Sequence, residues 1–342
     1  MKKIGVLTGG ADCPGMNAVI RGVVRKSMQE GYVVTGIKNG WQGIINNDMR
    51  ILDLRITSGI LDRGGTILGT SRMVSPLGDD VMETLAENFK RSGMDAIVAV
   101  GGENTLRIAL DCYKKKGIPL VGVPKSIDNA LSGTDYAFGF DTAVNVATAC
   151  IDRLHTTAES HHRIIVIEVM GRHTGWIALE SGIAGGAHIT LIPEEPIDIE
   201  EISAVLKSRH KRGKNFTIVV VSEGAHILGY STEVKATREH SEDIEAVSIG
   251  KLLGTLIRKE TGYDVRVSVL GHIQRGGTPT SYDRIIATRF GVKAVELVQE
   301  KAFGKMASLH NNKMHSVEIE YAVEKHKTVD KKFYNTFKGF SE

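Results

Sequence analysis

Apolar and polar positions along this chain follow a repeating order. A short, almost uniformly apolar run comes first, then a glycine-rich break, then a segment with helical spacing. "KKIGVLTG" leads into "MNAVIRGVVRKSMQEG", where Ala18, Val19, Val23 and Val24 share a helix face and Gly31 suits a helix stop. "DAIVAVGG" precedes "NTLRIALDCYKKKG", and "PLVGVPKS" precedes a polar loop and then "DTAVNVATACIDRLHTTAES". "RIIVIEVMG" is followed by "GWIALESGIAGGA", and "HITLIPEE" by "DIEEISAVLKSRHKRGK". "FTIVVVSEGA" and "VRVSVLGHIQRGG" complete the series, the latter before "YDRIIATRFGVKAVELVQE". Strands this apolar, without alternation, suit parallel sheets covered on both faces. Strand–helix alternation means an α/β fold with right-handed crossovers. The polar stretch from His226 to Asp243 reads as a surface excursion, and beyond Lys305 the pattern shortens and assigns no element.

Length divides the picture further. At 342 residues the chain exceeds the ~250–300 residues at which single cores stop growing, so two lobes are expected. Hydrophobic content of 42% and charged content of 24% are those of a soluble globular chain. A net charge of +3, with no like-charge run or basic–aromatic stripe, argues against a nucleic-acid partner. Cys13, Cys112 and Cys150 are odd in number and far apart, which fits a reducing cytoplasm rather than a disulfide framework. The apolar part of "MKKIGVLTGG" is too short for a signal peptide and reads as a first strand. No run approaches the ~18 residues of a membrane span.

Parallel sheets bind ligands beyond the carboxyl ends of their strands. "TGGADCPGMN" places Gly9, Gly10 and Gly15 where backbone N–H groups can crowd an anion, or simply turn tightly into a helix. It is neither G-x-G-x-x-G nor G-x-x-x-x-G-K-[ST], which argues against dinucleotide and P-loop sites. "RGGTILGTSR" ends on Arg72, a guanidinium suited to phosphate charge. In "GGENT", Glu103 is either a ligand for hydrated Mg²⁺ or an acid on a helix dipole. In "PKSIDNA", Asp128 suits a base for a hydroxyl attacking phosphorus, and Lys125 suits the transferred charge. Arg163, Arg172, Arg266 and Arg275 suit bidentate grip on a phosphate, Glu223 suits sugar hydroxyls, and His272 suits donation of a hydrogen bond. His161, His162 and His173 lack partners at zinc spacing, and Trp41 and Trp176 read as packing. The series of strand ends reads jointly as two phosphate-bearing ligands meeting, with magnesium and an aspartate between them.

With these motifs in view, the sequence resembles the 6-phosphofructokinases over nearly its whole length. It is similar to the bacterial group that contains ATP-, pyrophosphate- and mixed-donor enzymes. The motifs carrying the resemblance include "GVLTGGADCPGMNAVIR", "RGGTILGTSR", "VGGENTL", "VPKSIDN", "IDRLHTTAESHHR", "EVMGRHTGWIAL" and "VLGHIQRGGTPTSYDR". The resemblance implies two Rossmann-like lobes with largely parallel sheets and Mg²⁺-dependent phosphoryl transfer to the C1 hydroxyl of fructose 6-phosphate. It implies a donor lobe of residues 1–138 plus about 275–305, and a sugar lobe of 139–274 plus about 306–342. It makes Asp128 the catalytic base, assisted by Lys125, Asn104 and Arg172. Ser126, Met170, Gly171, Arg172, Glu223, His272 and Arg275 would hold the sugar phosphate. Arg163 and Arg266 would reach a neighbouring subunit's site in a homotetramer or homodimer. Gly10, Arg72, Met73, Gly102, Glu103, Asn104 and Thr105 would form the donor site, with Glu103 at the metal.

Donor choice in the family turns on positions 104 and 125. Glycine at 104 leaves room for a nucleotide; aspartate blocks it by bulk and charge. Asn104 keeps the aspartate shape without the charge, and Lys125 assists pyrophosphate while also occurring with ATP. The pair tilts the reading slightly to pyrophosphate, with ATP almost level. Ala11 stands where the family has glycine, and Ala130 replaces the aspartate ending "IDND". A weakly active paralogue that binds sugar phosphate and regulates a partner is therefore a second reading, and a seven-carbon sugar phosphate a further acceptor.

Overall fold

The computed structural model describes residues 2–230 and 248–338. In chain order the elements are β1 (Lys3–Gly9), α1 (Met16–Gln29), β2 (Val33–Ile37), α2 (Trp41–Ile45), β3 (Met49–Leu52), α3 (Asp79–Ser92), β4 (Ala96–Gly101), α4 (Glu103–Lys116) and β5 (Leu120–Pro124). Then come α5 (Phe140–His161), β6 (Ile164–Val169), α6 (Trp176–Ala184), β7 (Ile189–Leu191), α7 (Ile199–Lys211), β8 (Thr217–Ser222), α8 (Ile249–Thr261) and β9 (Val265–Val269). A 3₁₀ turn (Gly271–Arg275), α9 (Ser281–Gln299), β10 (Lys305–His310), β11 (Lys313–Glu318), α10 (Ile319–Glu324) and α11 (Lys331–Lys338) complete the described chain. It forms two compact units, Met1–Thr142 with Arg275–His326, and Ala143–Gln274 with Lys327–Glu342.

The first unit is a seven-stranded sheet of order β11-β10-β5-β4-β1-β2-β3. Its five central strands run parallel, and β3 and β11 close the edges antiparallel. Successive residues of a strand face opposite sides, so the uniformly apolar runs serve two cores. Val6, Val98 and Val121 pack with Val19 and Val23 of α1 and Phe290 and Ala294 of α9. Leu7, Ile97 and Leu120 pack with Leu85 of α3, Leu106 of α4 and Ala322 of α10. The first helix meets α9 backbone to backbone: a methyl group on Gly22 would lie 2.8 Å from the Thr288 carbonyl oxygen.

The second unit is a four-stranded, all-parallel sheet of order β7-β8-β6-β9. Ile164, Val166, Val219 and Val221 pack with Leu206 of α7 and Leu253 of α8, and Ile165 and Ile167 are buried on the other face. Asp198 caps α7 by accepting from Glu200 N at 2.8 Å.

Several elements lie outside the series read from the sequence. α3 and α8 were not in it, and neither were β2, β3, β10 and β11. The stretch beyond Lys305 is a hairpin turning on Asn311 and Asn312, both with positive φ (48° and 60°), as a tight β-turn of this hand requires. This corrects the expected lobe boundary. Residues from 306 to 326 lie with the first unit, because β10 pairs with β5 through Met306 and Gly122 and α10 fills the same core. The other boundary falls after Thr142 rather than 138. Of the polar stretch His226–Asp243, residues 231–243 lie outside the described residues.

Candidate active site

Three neighbouring strands of the first sheet end in register. Gly9 of β1 is paired with Gly101 of β4, and Gly101 with Pro124 of β5. The loops carrying Gly10, Gly102–Thr105 and Lys125–Asp128 therefore leave the sheet side by side. The first loop needs its glycines: Gly10 and Gly15 have φ of 77° and 104°, where a side chain is strained. The buried Thr105 hydroxyl lies beneath, 2.6 Å from where a Gly9 methyl group would stand.

Lys125 fills the space these glycines leave. Its Nζ would be 3.8 Å from a methyl group on Gly10 and 3.7 Å from one on Gly102. The residue is only 7% exposed. Burial pulls its ammonium pKa down, partly offset by the Asp128 carboxylate, while Arg275 adds to the fall. Lys125 N donates to Gly101 O at 3.1 Å, and Ser126 Oγ donates to Asp128 Oδ1. Asn129, at φ 51°, braces the loop by donating to Asp135 O at 3.1 Å and accepting from Ala137 N at 3.0 Å. Ala130 N donates to Ser126 Oγ at 3.3 Å, so the loop closes on itself without the acid the family places there.

The Arg72 loop is sewn to the same edge. Gly10 N donates to Ser71 O at 3.0 Å, and Thr70 Oγ1 to Gly10 O at 2.6 Å. The buried Asn17 side chain of α1 donates to Arg63 O and Gly64 O and accepts from Ile67 N. Arg72 is exposed and Met73 packs against the second core. Gly64 leaves no room for a methyl group, which would stand 2.1 Å from Gly277 O, so the "RGG" following Gln274 abuts this loop.

Glu103 opens α4 with Asn104 exposed beside it. Its carboxylate pairs with Arg107 Nε at 2.9 Å and stands 3.7 Å from His326 Nδ1. Among the described residues, no three His, Cys, Asp or Glu side chains gather as a metal cage. A single carboxylate at a helix start fits Mg²⁺ that arrives on phosphate oxygens and keeps its waters; it does not fit a resident transition metal.

The second sheet repeats the arrangement with other chemistry. Val169 of β6 is paired with Ser222 of β8, and Glu168 with Val269 of β9. Beyond these ends lie Met170, Gly171, Arg172, Glu223 and the exposed His272. Gly171, at φ 134°, donates to Glu223 Oε1 at 3.4 Å, and Arg172 Nε stands 3.5 Å from the same oxygen. The Arg172 side chain is 72% exposed, so its guanidinium faces solvent. Gln274, wholly buried, accepts from Met170 N at 3.3 Å. Sequence reasoning passed over Gln274 although it lies inside "GHIQRGG".

Arg163 and Arg266 do not join this group. Arg163 precedes β6 and Arg266 is second in β9, at the amino end of the sheet. They grip one carboxylate, Asp264, at 2.5 and 2.7 Å. Arg163 lies before the six residues of β6, which span ~20 Å, and Asp264 holds both side chains at the amino end. Arg275 lies with the first unit and acts electrostatically on Lys125 and Cys13. Asp12 and Asp283 were also passed over; both act on the buried Cys13 thiol. Their signal was present in "GGADCPGMN" and "TSYDR", but an aspartate in a loop or a first helical turn is ordinary in sequence.

A family model described as phosphofructokinase matches residues 3–298. A pyrophosphate–fructose 6-phosphate 1-phosphotransferase of Streptomyces coelicolor is 50% identical over 335 residues, covering 97% of this chain and 97% of the relative. An ATP-dependent 6-phosphofructokinase 2 of Clostridium perfringens is 47% identical over 347 residues, covering 96% and 94%. The structure of phosphofructokinase from Saccharomyces cerevisiae matches with TM-score 0.81 at 30% identity, over 95% of this chain and 45% of that one. The chain thus spans under half the length of that yeast chain.

Proposed function

The chain is a phosphotransferase of the phosphofructokinase family, and from that premise we propose that it phosphorylates the C1 hydroxyl of fructose 6-phosphate to give fructose 1,6-bisphosphate. The observation that carries this reading is the register of Gly9, Gly101 and Pro124, which sets Lys125 among glycine backbones with Asp128 on the same loop. The Asp128 carboxylate takes the C1 hydroxyl proton. The freed oxygen bonds to the terminal phosphorus of the donor as the bond to its bridging oxygen breaks, and the leaving phosphate keeps that electron pair. The Lys125 ammonium and the Gly102 N–H group meet the growing charge. Glu103 would hold magnesium, which supplies neutralisation of phosphate charge.

The family resemblance assigns Ser126, Met170, Gly171, Arg172, Glu223, His272 and Arg275 to the sugar phosphate. Arg163 and Arg266, turned to the other end of their sheet, serve a neighbouring subunit, so the working form is a homotetramer or homodimer. The enzyme works in the cytoplasm, which suits its three free cysteines; among the described residues no helix is long and apolar enough to cross a membrane.

Relatives of both donor types stand at similar identity, 50% and 47%. Asn104 and Lys125 tilt the donor to pyrophosphate. A coupled assay with fructose 6-phosphate and Mg²⁺, run separately with pyrophosphate and with ATP, tests this. Faster turnover with pyrophosphate, and improved use of ATP by Asn104→Gly, are expected. Preference for ATP in the unsubstituted chain reverses the donor. Turnover with neither, alongside saturable sugar-phosphate binding, replaces the enzyme by a regulatory paralogue, which Ala11 and Ala130 on the donor side favour.

A further inference from the structure

Asp283 is a fully buried carboxylate that the chemistry above leaves unused. It is third in α9. Oδ1 accepts from Gly139 N at 2.8 Å; Oδ2 accepts from Thr142 N at 2.8 Å and Thr142 Oγ1 at 2.5 Å. These donors belong to the first turn of α5 and the residue before it. The tie is reciprocal. Thr280, the cap of α9, donates its hydroxyl to Asp141 Oδ2 at 2.5 Å and its N–H to Thr142 Oγ1 at 3.1 Å. Two helix starts share one anion, which their dipoles favour.

A buried carboxylate is costly as mere glue, and apolar packing often holds a fold as well. Its position explains its presence better. Gly139 follows Phe138, whose backbone bridges Lys125 and whose carbonyl accepts from Ser126 N at 3.4 Å and faces the Cys13 thiol at 3.8 Å. Gly139 has no slack: at φ 96°, a methyl group on it would lie 2.6 Å from Cys13 Sγ. Ser126 in turn donates to Asp128. Fixing Gly139 therefore fixes, neighbour by neighbour, the segment that carries the lysine and the base.

We infer that Asp283 is a positioning residue for phosphoryl transfer, holding Gly139 and Phe138 so that Lys125 and Asp128 keep their working geometry. This rests on Asp128 being the base. Misplacing a base costs turnover while leaving ground-state binding in place. Asp283→Asn keeps the shape but turns an amide NH₂ toward the Thr142 N–H. It should lower kcat about 10²-fold with KM for sugar and donor changed less than about twofold. Thr142→Val, which deletes one donor, should fall between, and Thr142→Ser should restore kcat. Urea unfolding of each variant establishes that it is folded under assay conditions, and if Asp283→Asn does not fold the Thr142 pair decides. Asp128→Asn is measured alongside. Retained turnover there removes the premise itself. An inactive Asp128→Asn beside a folded Asp283→Asn or Thr142→Val with native kcat, or with only KM raised, overturns the inference.

Discussion

Lys125 shows how much one buried charge is asked to do. Its ammonium is desolvated, and its pKa is held below the ordinary lysine value chiefly by that burial. The lysine works only while protonated, so raising pH removes it earlier than it would a surface lysine. The alkaline limb of kcat/KM should therefore begin below the ordinary lysine range of about 10.4. Lys125→Arg, whose guanidinium stays charged, should lose that limb; an unchanged limb would assign it elsewhere. Asp283 titrates the other way. Burial lifts its carboxyl from 3.8 to about 6, against the pull of the Thr142 and Gly139 donors. The folded chain then holds a proton that the unfolded chain releases. That share of stability is complete below 3.8 and is lost as pH rises through about 6. Unfolding free energy in urea should fall across this window less steeply in Asp283→Asn than in the native chain, and equal slopes would remove Asp283 as the cause.

Among elements, α1 and α9 meet backbone to backbone. Gly22 faces the Thr288 backbone, and Gly291 faces Val19, where a methyl group would lie 2.5 Å from a carbonyl oxygen. Neither neighbour is a flexible side chain, so relief requires moving a helix. Gly22→Ala should cost about 1–3 kcal/mol in urea unfolding, the usual toll of overpacking. A loss under about 0.5 kcal/mol, the range of surface substitutions, would show that the helices slide apart freely. In the second unit, His188 joins the segment before β7 to β8: its Nδ1 accepts from Ile218 N at 2.9 Å. Burial, with Arg209 nearby, lowers its pKa from 6.5 to about 4. Its share of stability is complete above 6.5 and is lost as pH falls toward about 4. His188→Asn, which keeps an acceptor for that N–H without titrating, should flatten the acid side of the stability profile. A profile identical to the native one would refute this.

At the scale of the whole molecule, Arg163 and Arg266 lie at the opposite end of their sheet from Arg172. If they complete a neighbour's site, subunits with different defects should complement. Asp128→Asn and Arg163→Ala chains, each inactive alone, should regain activity when refolded together. A hybrid pair contains one site with both groups intact. Absence of recovery from a mixed oligomer would confine Arg163 to its own chain.

The alternation of apolar runs and helical spacing determined the α/β class and most central elements, because buried parallel strands write hydrophobicity on both faces. Glycine, lysine and carboxylate at successive strand ends marked where to look, and the motifs marked the family. β10 and β11 were not legible: β11 is a largely unburied edge strand, β10 offers only the four buried residues from Met306 to Leu309, and their Asn-Asn turn carries a short signal. Nor was Asp283, whose meaning comes from Gly139 and Thr142, residues 144 and 141 positions away. Only the tertiary structure decided which strand ends share a register, that Lys125 is buried, and that Arg163 and Arg266 sit apart from Arg172. A sequence states which residues can carry charge, but their pKa and their partners follow from neighbours that only the folded chain brings within a few ångströms.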